Sequence, residues 1–164
     1  FAAILADGSV VTWGSPESGG DCFSVRDQLK NVQQLQATSH VKQVHATSRA
    51  FAAILADGSV VTWGHPDEGG DSSSVQDQFK NVQQLQHTSF AFAAILADGS
   101  VVTWGAQKSG GDCSSVQDQL KNVQQLQATT FAFAAILADG SVVTWGSPHA
   151  GGDCSVVQDQ LRNV

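Results

Sequence analysis

The string FAAILADGSVVTWG occurs four times in 164 residues, beginning at Phe1, Phe51, Phe92 and Phe133. Repetition this close to identity restricts the chain to architectures in which one small unit stacks on copies of itself, each copy meeting its neighbours in the same way. The intervals between starts are 50, 41 and 41 residues. Each copy is followed by Gly-Gly-Asp, starting at Gly19, Gly69, Gly110 and Gly151, and then by Val-x-Asp-Gln-(Leu/Phe)-(Lys/Arg)-Asn-Val. Counted from the phenylalanines, the chain is a single repeat domain with units 1–50, 51–91, 92–132 and 133–164. The longer first interval holds a duplication: VQQLQATS from Val32 to Ser39 is followed by VKQVHATS from Val41 to Ser48. Two readings of this extra strand-like segment, 41–48, stay open: the chain is a piece of a longer array, which is the expectation, or the segment completes a blade that the two ends leave unfinished and closes or caps the array.

Within the second unit, Phe51 to Leu55 and Ser59 to Trp63 are β-rich runs separated by Ala56-Asp57-Gly58. Asp-Gly between apolar runs predicts a hairpin, because these residues tolerate the positive φ that primed turns require. Gly64 and Pro66 end the second run and open a loop through Gly69-Gly70. Beyond it, Ser73 or Ser74 is expected to cap about two turns of helix carrying Val75, Phe79 and Val82 on one stripe. The run from Val82 to Thr88 reads as a third strand. The fold expected is mainly β, a tandem array of propeller-like blades, each a hairpin plus a third strand and a short helical turn, with an open β-solenoid as the alternative.

The stretch VQQLQHTSFAFAAILADGSVVTWG, beginning at Val82, resembles the repeat of the regulator of chromosome condensation family: Val-x-x-Leu, a short turn, a small-and-aliphatic strand, Asp-Gly, an apolar pair and Trp-Gly. The resemblance covers all four units and implies β-propeller blades. Two features depart from it. Gly-Gly-Asp-(Cys/Ser) stands where the family has Gly-Gln-Leu-Gly, and four short units are fewer than the family's complete ring. The family includes a guanine-nucleotide exchange factor that works through a surface loop, parts of large ubiquitin ligases, and many binding scaffolds. No exchange insertion or ligase segment is recognisable in this sequence, and a fold does not carry a function by itself.

Charge narrows the partners. With eight Lys and Arg and a formal net charge of -7, the chain lacks the clustered basic residues that neutralise phosphates, so nucleic acid is not the expected partner. The apolar run from Phe90 to Leu96 is far shorter than the roughly 18 residues of a membrane-spanning segment. Cys22, Cys113 and Cys154 share one repeat position, at which the second unit has Ser72. Three cysteines cannot all pair with one another, which favours a reducing, intracellular compartment, cytoplasmic or organellar.

No residue pattern points to catalysis, a cofactor or a metal. Trp13, Trp63, Trp104 and Trp145 recur at one position and suit packing between repeats, each indole N–H needing one partner. Asp7, Asp57, Asp98 and Asp139 belong to the hairpin turns. Asp21, Asp71, Asp112 and Asp153 follow the paired glycines. They could line one rim and hold a cation, but they match no calcium loop, and capping of the following helix is their simplest role. Asp27, Asp77, Asp118 and Asp159 face solvent on that helix. The histidines, His40, His45, His65, His87 and His149, occupy scattered positions and make no metal set.

The most variable part of the unit follows Trp-Gly, reading SPESGG, HPDEGG, AQKSGG and SPHAGG. Loops that vary on a fixed scaffold are where partner contacts concentrate. Pro16, Glu17 and Ser18, with Pro66, Asp67 and Glu68, Gln107, Lys108 and Ser109, and Pro148 and His149, are therefore the candidate partner-binding loops. The expected function is a non-enzymatic protein-interaction scaffold. A second expectation is a peripheral accessory subunit of a larger assembly, such as an organellar, membrane-associated or photosynthetic complex. A third, less favoured, is a guanine-nucleotide exchange factor.

Overall fold

The computed structural model describes residues 1–23 and 41–161. The first repeat contributes a two-stranded antiparallel sheet of β1 (Ala2–Ile4) and β2 (Val10–Thr12). Three further sheets follow, each with three antiparallel strands. They are β3 (Val41–Ala46), β4 (Ala50–Leu55) and β5 (Val60–Gly64), then β6 (Val82–His87), β7 (Ala91–Leu96) and β8 (Val101–Gly105), then β9 (Val123–Ala128), β10 (Ala132–Leu137) and β11 (Val142–Gly146). In each the first hairpin strand lies in the middle, so a sheet begins with the VQQLQ-type strand ahead of its phenylalanine. The second duplicated segment supplies β3. The first, Val32 to Ser39, lies outside the described residues, as do Asp27 and His40; the extra segment 41–48 is described and pairs with β4 in the sheet of the second unit.

The hairpins form as expected, but with a different turn. Gly58 has φ +80° while Asp57 stays outside the left-handed region. The Gly58 N–H donates to the Leu55 carbonyl at 3.0 Å and the Leu55 N–H to that of Ser59 at 2.9 Å. This is a three-residue loop, Ala56-Asp57-Gly58, closed by one left-handed glycine, rather than a two-residue primed turn. Asp57 Oδ1 accepts both the N–H (2.9 Å) and the Oγ–H (2.6 Å) of Ser59. Those hydrogen bonds hold its carboxyl below the ordinary carboxylate range. Asp98 and Asp139 are held in the same way.

Both faces of the middle strands β4 and β7 are buried, which explains a continuous apolar run in place of apolar–polar alternation. Side chains alternate across a strand. In β4, Phe51, Ala53 and Leu55 therefore point back toward the first repeat and pack with Val61, Trp63 and Val10. Ala50, Ala52 and Ile54 point forward onto Phe92, Ala94, Leu96 and Trp104. The next junction repeats the pattern, with Ala91, Ala93 and Ile95 facing Phe133, Ala135, Leu137 and Trp145. The core is thus a series of equivalent layers between sheets. At one sheet edge, β3 neighbours β6 and β6 neighbours β9. There Gln84 bridges to the backbone of Leu126, donating Nε2 to its carbonyl (3.3 Å) and accepting its N–H at Oε1 (3.4 Å).

The expected two-turn helix is corrected. Only a single 3-10 turn forms, Gln76–Gln78, with counterparts at Gln117–Gln119 and Gln158–Gln160. Val82 opens β6 instead of extending a helical stripe. Three residues are too few to repay helix nucleation, and the left-handed Asn81 (φ +52°) and Asn122 (φ +56°) break the helical path just before the next strand. Serine caps are absent too: the residues preceding the 3-10 turns are Val75, Val116 and Val157, with no side-chain cap.

Candidate functional site

The array has two rims. One carries the Asp-Gly hairpin turns, whose sequence is the same in every unit. The other carries the segment after Trp-Gly, which forms a 3-10 turn in each repeat: Pro16–Ser18, Pro66–Glu68, Gln107–Ser109 and Pro148–Ala150. Each turn ends on a left-handed glycine, with φ +77° at Gly19, +102° at Gly69, +91° at Gly110 and +95° at Gly151. Proline at the first position of three turns presets φ and needs no donor there.

Within each turn the first two residues are exposed: Pro16 and Glu17, Pro66 and Asp67, Gln107 and Lys108, Pro148 and His149. The third is drawn inward. Ser109 is buried, and Ser18, Glu68 and Ala150 are partly covered. In the last three turns the cause is a threonine at the corner between the first two strands of the sheet. Thr47 Oγ1 donates to the Glu68 carbonyl (3.1 Å), Thr88 Oγ1 to that of Ser109 (3.0 Å) and Thr129 Oγ1 to that of Ala150 (2.9 Å). The turns are therefore fixed to the scaffold.

These corners add residues that the repeat pattern did not single out. The Ser48 N–H donates to the Ser89 carbonyl (2.8 Å) and the Ser89 N–H to that of Thr130 (2.9 Å), linking successive corners along the rim. The next residues, Arg49, Phe90 and Phe131, occupy equivalent positions. Phe90 and Phe131 stack at 5.8 Å between ring centroids, with Phe131 exposed. Arg49 instead reaches the flanking turns, pairing with Glu68 at 3.1 Å and approaching Glu17 at 4.0 Å. The signal was available in the sequence as Thr-(Ser/Thr)-x-Ala-Phe, with Arg, Phe and Phe at x.

Three of the four tryptophans lie between repeats, as expected, and the first does not. Trp63, Trp104 and Trp145 are 2, 3 and 3% exposed, and their indole N–H groups donate to the carbonyls of Gly19, Gly69 and Gly110 in the preceding repeat at 3.1, 3.1 and 3.0 Å. Trp13, 51% exposed, has no such partner among the described residues.

The acidic set after the paired glycines is solvent-exposed and serves the backbone. Asp21, Asp71, Asp112 and Asp153 accept the N–H groups of Phe23, Ser73, Ser114 and Ser155 at 2.8 to 2.9 Å. Their role is the Asx turn, not the helix cap expected from sequence. Those backbone bonds hold the carboxyls of Asp71, Asp112 and Asp153 below the ordinary range. Asp71 and Asp112 border an outer groove of 660 Å³ between two repeats, and Asp112 and Asp153 border its neighbour of 560 Å³. Among the described residues no three His, Cys, Asp or Glu side chains gather as a metal set.

Cysteine and serine exchange at one position because both perform the same task. The Cys113 and Cys154 thiols donate to Oε1 of Gln117 and Gln158 (2.9 and 2.7 Å), as Ser72 Oγ does to Gln76 (3.0 Å). Each glutamine then donates Nε2 to a strand carbonyl, of Val60, Val101 or Val142. Burial raises the Cys113 thiol above its ordinary value. His45 lies edge-on to His87 at 6.2 Å, and burial, followed by the neighbouring His87, lowers its pKa.

No family model matches the chain, and no curated protein matches it. Solved structures do. The chain is similar to Prp20p from Saccharomyces cerevisiae (TM-score 0.57, 20% identity, 88% of this chain and 42% of that one). It is also similar to the CRINKLY WD40 ectodomain of the Arabidopsis thaliana receptor kinase ACR4 (TM-score 0.55, 18% identity, 89% and 52%). A third likeness is to human WBSCR16 (TM-score 0.50, 18% identity, 93% and 47%). The chain spans about half the length of these structures. Among the described residues no helix is long and apolar enough to cross a membrane. At this level of identity the likenesses establish the fold, a mainly-β array of blades arranged as in the RCC1-type and WD40 propellers.

Proposed function

We propose that this chain is a non-enzymatic protein-interaction scaffold that meets its partner with the rim of 3-10 turns. One observation carries the reading: on this rim, exposed and half-buried side chains differ between otherwise near-identical repeats. Glu17, Asp67, Lys108 and His149 occupy one equivalent position, and Arg49, Phe90 and Phe131 another. The opposite rim repeats Ala-Asp-Gly-Ser without change. A surface that varies on a rigid frame is the expected form of a recognition site. The stacked Phe90 and Phe131 supply its apolar anchor, since aromatic residues dominate interface energies. The structure of Prp20p was reported together with its binding to Gsp1p and histones, an instance of a similar fold serving protein recognition.

The test compares two double variants for binding to whichever protein the wild-type chain retains from its native source. Phe90→Ser with Phe131→Ser is expected to weaken binding at least tenfold, on the order of 1.4 kcal/mol. Ala97→Lys with Ala138→Lys, on the opposite rim, is expected to leave it unchanged. The reverse pattern would place the partner on the Asp-Gly rim and refute the proposal.

A further inference from the structure

In a chain this repetitive, a residue that differs from its counterparts in the other units stands out, and two such residues meet at one junction. His45 on β3 stands where β6 and β9 have Gln86 and Gln127, and His87 on β6 stands where β3 and β9 have Ala46 and Ala128. Because β3 and β6 are neighbours, the two imidazoles come together between adjacent sheets, with centroids 6.2 Å apart and planes at 65°. Sequence spacing hides the pair, since the two residues occupy consecutive, not equivalent, positions of their strands.

Each ring is held from one side. The His45 Nε2–H donates to Gln43 Oε1 at 3.2 Å, and the His87 Nδ1–H donates to the Thr88 carbonyl at 3.2 Å. These tautomers leave lone pairs on His45 Nδ1 and His87 Nε2. A metal-binding imidazole is arranged in this way, its second nitrogen giving a proton to an oxygen and so fixing ring and tautomer. His87 also lies edge-on to the buried Phe92 at 6.3 Å. His45 is half-buried and His87 exposed, so the pair is open to solvent. A ring bound at about 2.0–2.1 Å has its centroid roughly 3.2 Å from the metal, so two rings on one ion stand about 5.2 Å apart at the tetrahedral angle and about 6.4 Å apart when opposite. The observed 6.2 Å falls within that span.

We infer that His45 and His87 form a two-histidine site for a borderline divalent cation such as zinc, and that the bound ion ties the sheet of β3 to the sheet of β6. Imidazole suits zinc, copper and nickel, whereas calcium and magnesium take oxygen ligands. Among the described residues no third His, Cys, Asp or Glu side chain joins the pair, so solvent completes the coordination. An ion that binds the folded array and bridges two sheets stabilises it by mass action.

The experiment is zinc titration of the full chain, followed by calorimetry and by thermal melting, in a Cys22→Ser, Cys113→Ser, Cys154→Ser background. That background removes competing thiols and places at each position the residue that the second unit already has at Ser72. One zinc ion per chain is expected to bind and to raise the melting temperature, and magnesium at the same concentration to do neither. His45→Gln and His87→Ala each install the residue that the other repeats carry at that position. In EDTA both are expected to melt close to the background protein, His87 being an exposed position whose truncation costs little. Each is expected to weaken zinc binding at least tenfold and to abolish the rise in melting temperature, because one imidazole is left. Absence of one-to-one zinc binding in the background protein overturns the inference. So does either variant that keeps the affinity or the rise, since the ion is then held elsewhere.

Discussion

Replacing Trp104 by alanine lowers folding stability by about 3–5 kcal/mol, the usual cost of removing a buried indole from a packed core, while Trp13→Ala changes it by less than about 0.5 kcal/mol. Both residues stand at the same position of the repeat and stack on a phenylalanine. Only Trp104 is enclosed between sheets and bonded to the preceding repeat through the Gly69 carbonyl. Losing it opens a cavity beside Phe92 and leaves that carbonyl unsatisfied in a buried place. Because each repeat is stabilised mainly through its neighbours, damage at one junction spreads to both sides of it. Urea unfolding of the two variants measures the difference. Equal losses would show that the tryptophan contributes through its own hairpin and not through the junction.

The second large effect separates backbone strain from junction fit. Gly110→Ala and Gly151→Ala both force a side chain onto a left-handed backbone, at φ +91° and +95°, a cost of roughly 1–2 kcal/mol in either place. At Gly110 the new methyl also collides with the Phe133 ring. That ring has no free direction to move, being buried and stacked on Trp145. Overpacking of this kind adds about 1–3 kcal/mol. At Gly151 the space is open. Gly110→Ala is thus expected to melt well below Gly151→Ala, and calorimetry on the two proteins reads the gap as junction energy alone. Matching melting temperatures would mean that the glycines are needed only for their φ.

Much of this architecture was legible in the residues. The fourfold string fixed the number of hairpins, Asp-Gly located their turns, and the invariant tryptophans pointed to packing between repeats. The errors came from local patterns whose meaning depends on the neighbouring unit. Val75, Phe79 and Val82 are spaced like a helical stripe, yet Phe79 is placed by the sheet it covers and Val82 by pairing with Leu96. Asp71 has the look of a helix cap because Ser73 and Ser74 follow it, but its carboxylate is engaged by the Ser73 N–H two residues on. The bridge from Ser72 or Cys113 to a glutamine four residues later reads as filler until Val60 and Val101 are seen to receive its amide.

The candidate surface was half legible. Variation after Trp-Gly pointed to the turns, but not to the inward rotation of Ser109 and Glu68, which is imposed by threonines 21 residues away in sequence. Arg49, Phe90 and Phe131 were hidden because units counted from the phenylalanines divide the corner on which these residues stand. A sheet starts at β3, β6 or β9, and in that frame the corner is a single variable position.

The central claim is that every internal junction seats the tryptophan of one repeat on the glycine of the repeat before it and leaves only the first repeat's tryptophan uncovered. Iodide quenching of intrinsic fluorescence at submicromolar concentration tests this most directly. The account predicts one accessible emitting component and a protected remainder, with the accessible component absent from a Trp13→Phe variant. Four tryptophans quenched alike, or a quenchable component that persists in Trp13→Phe, would contradict it.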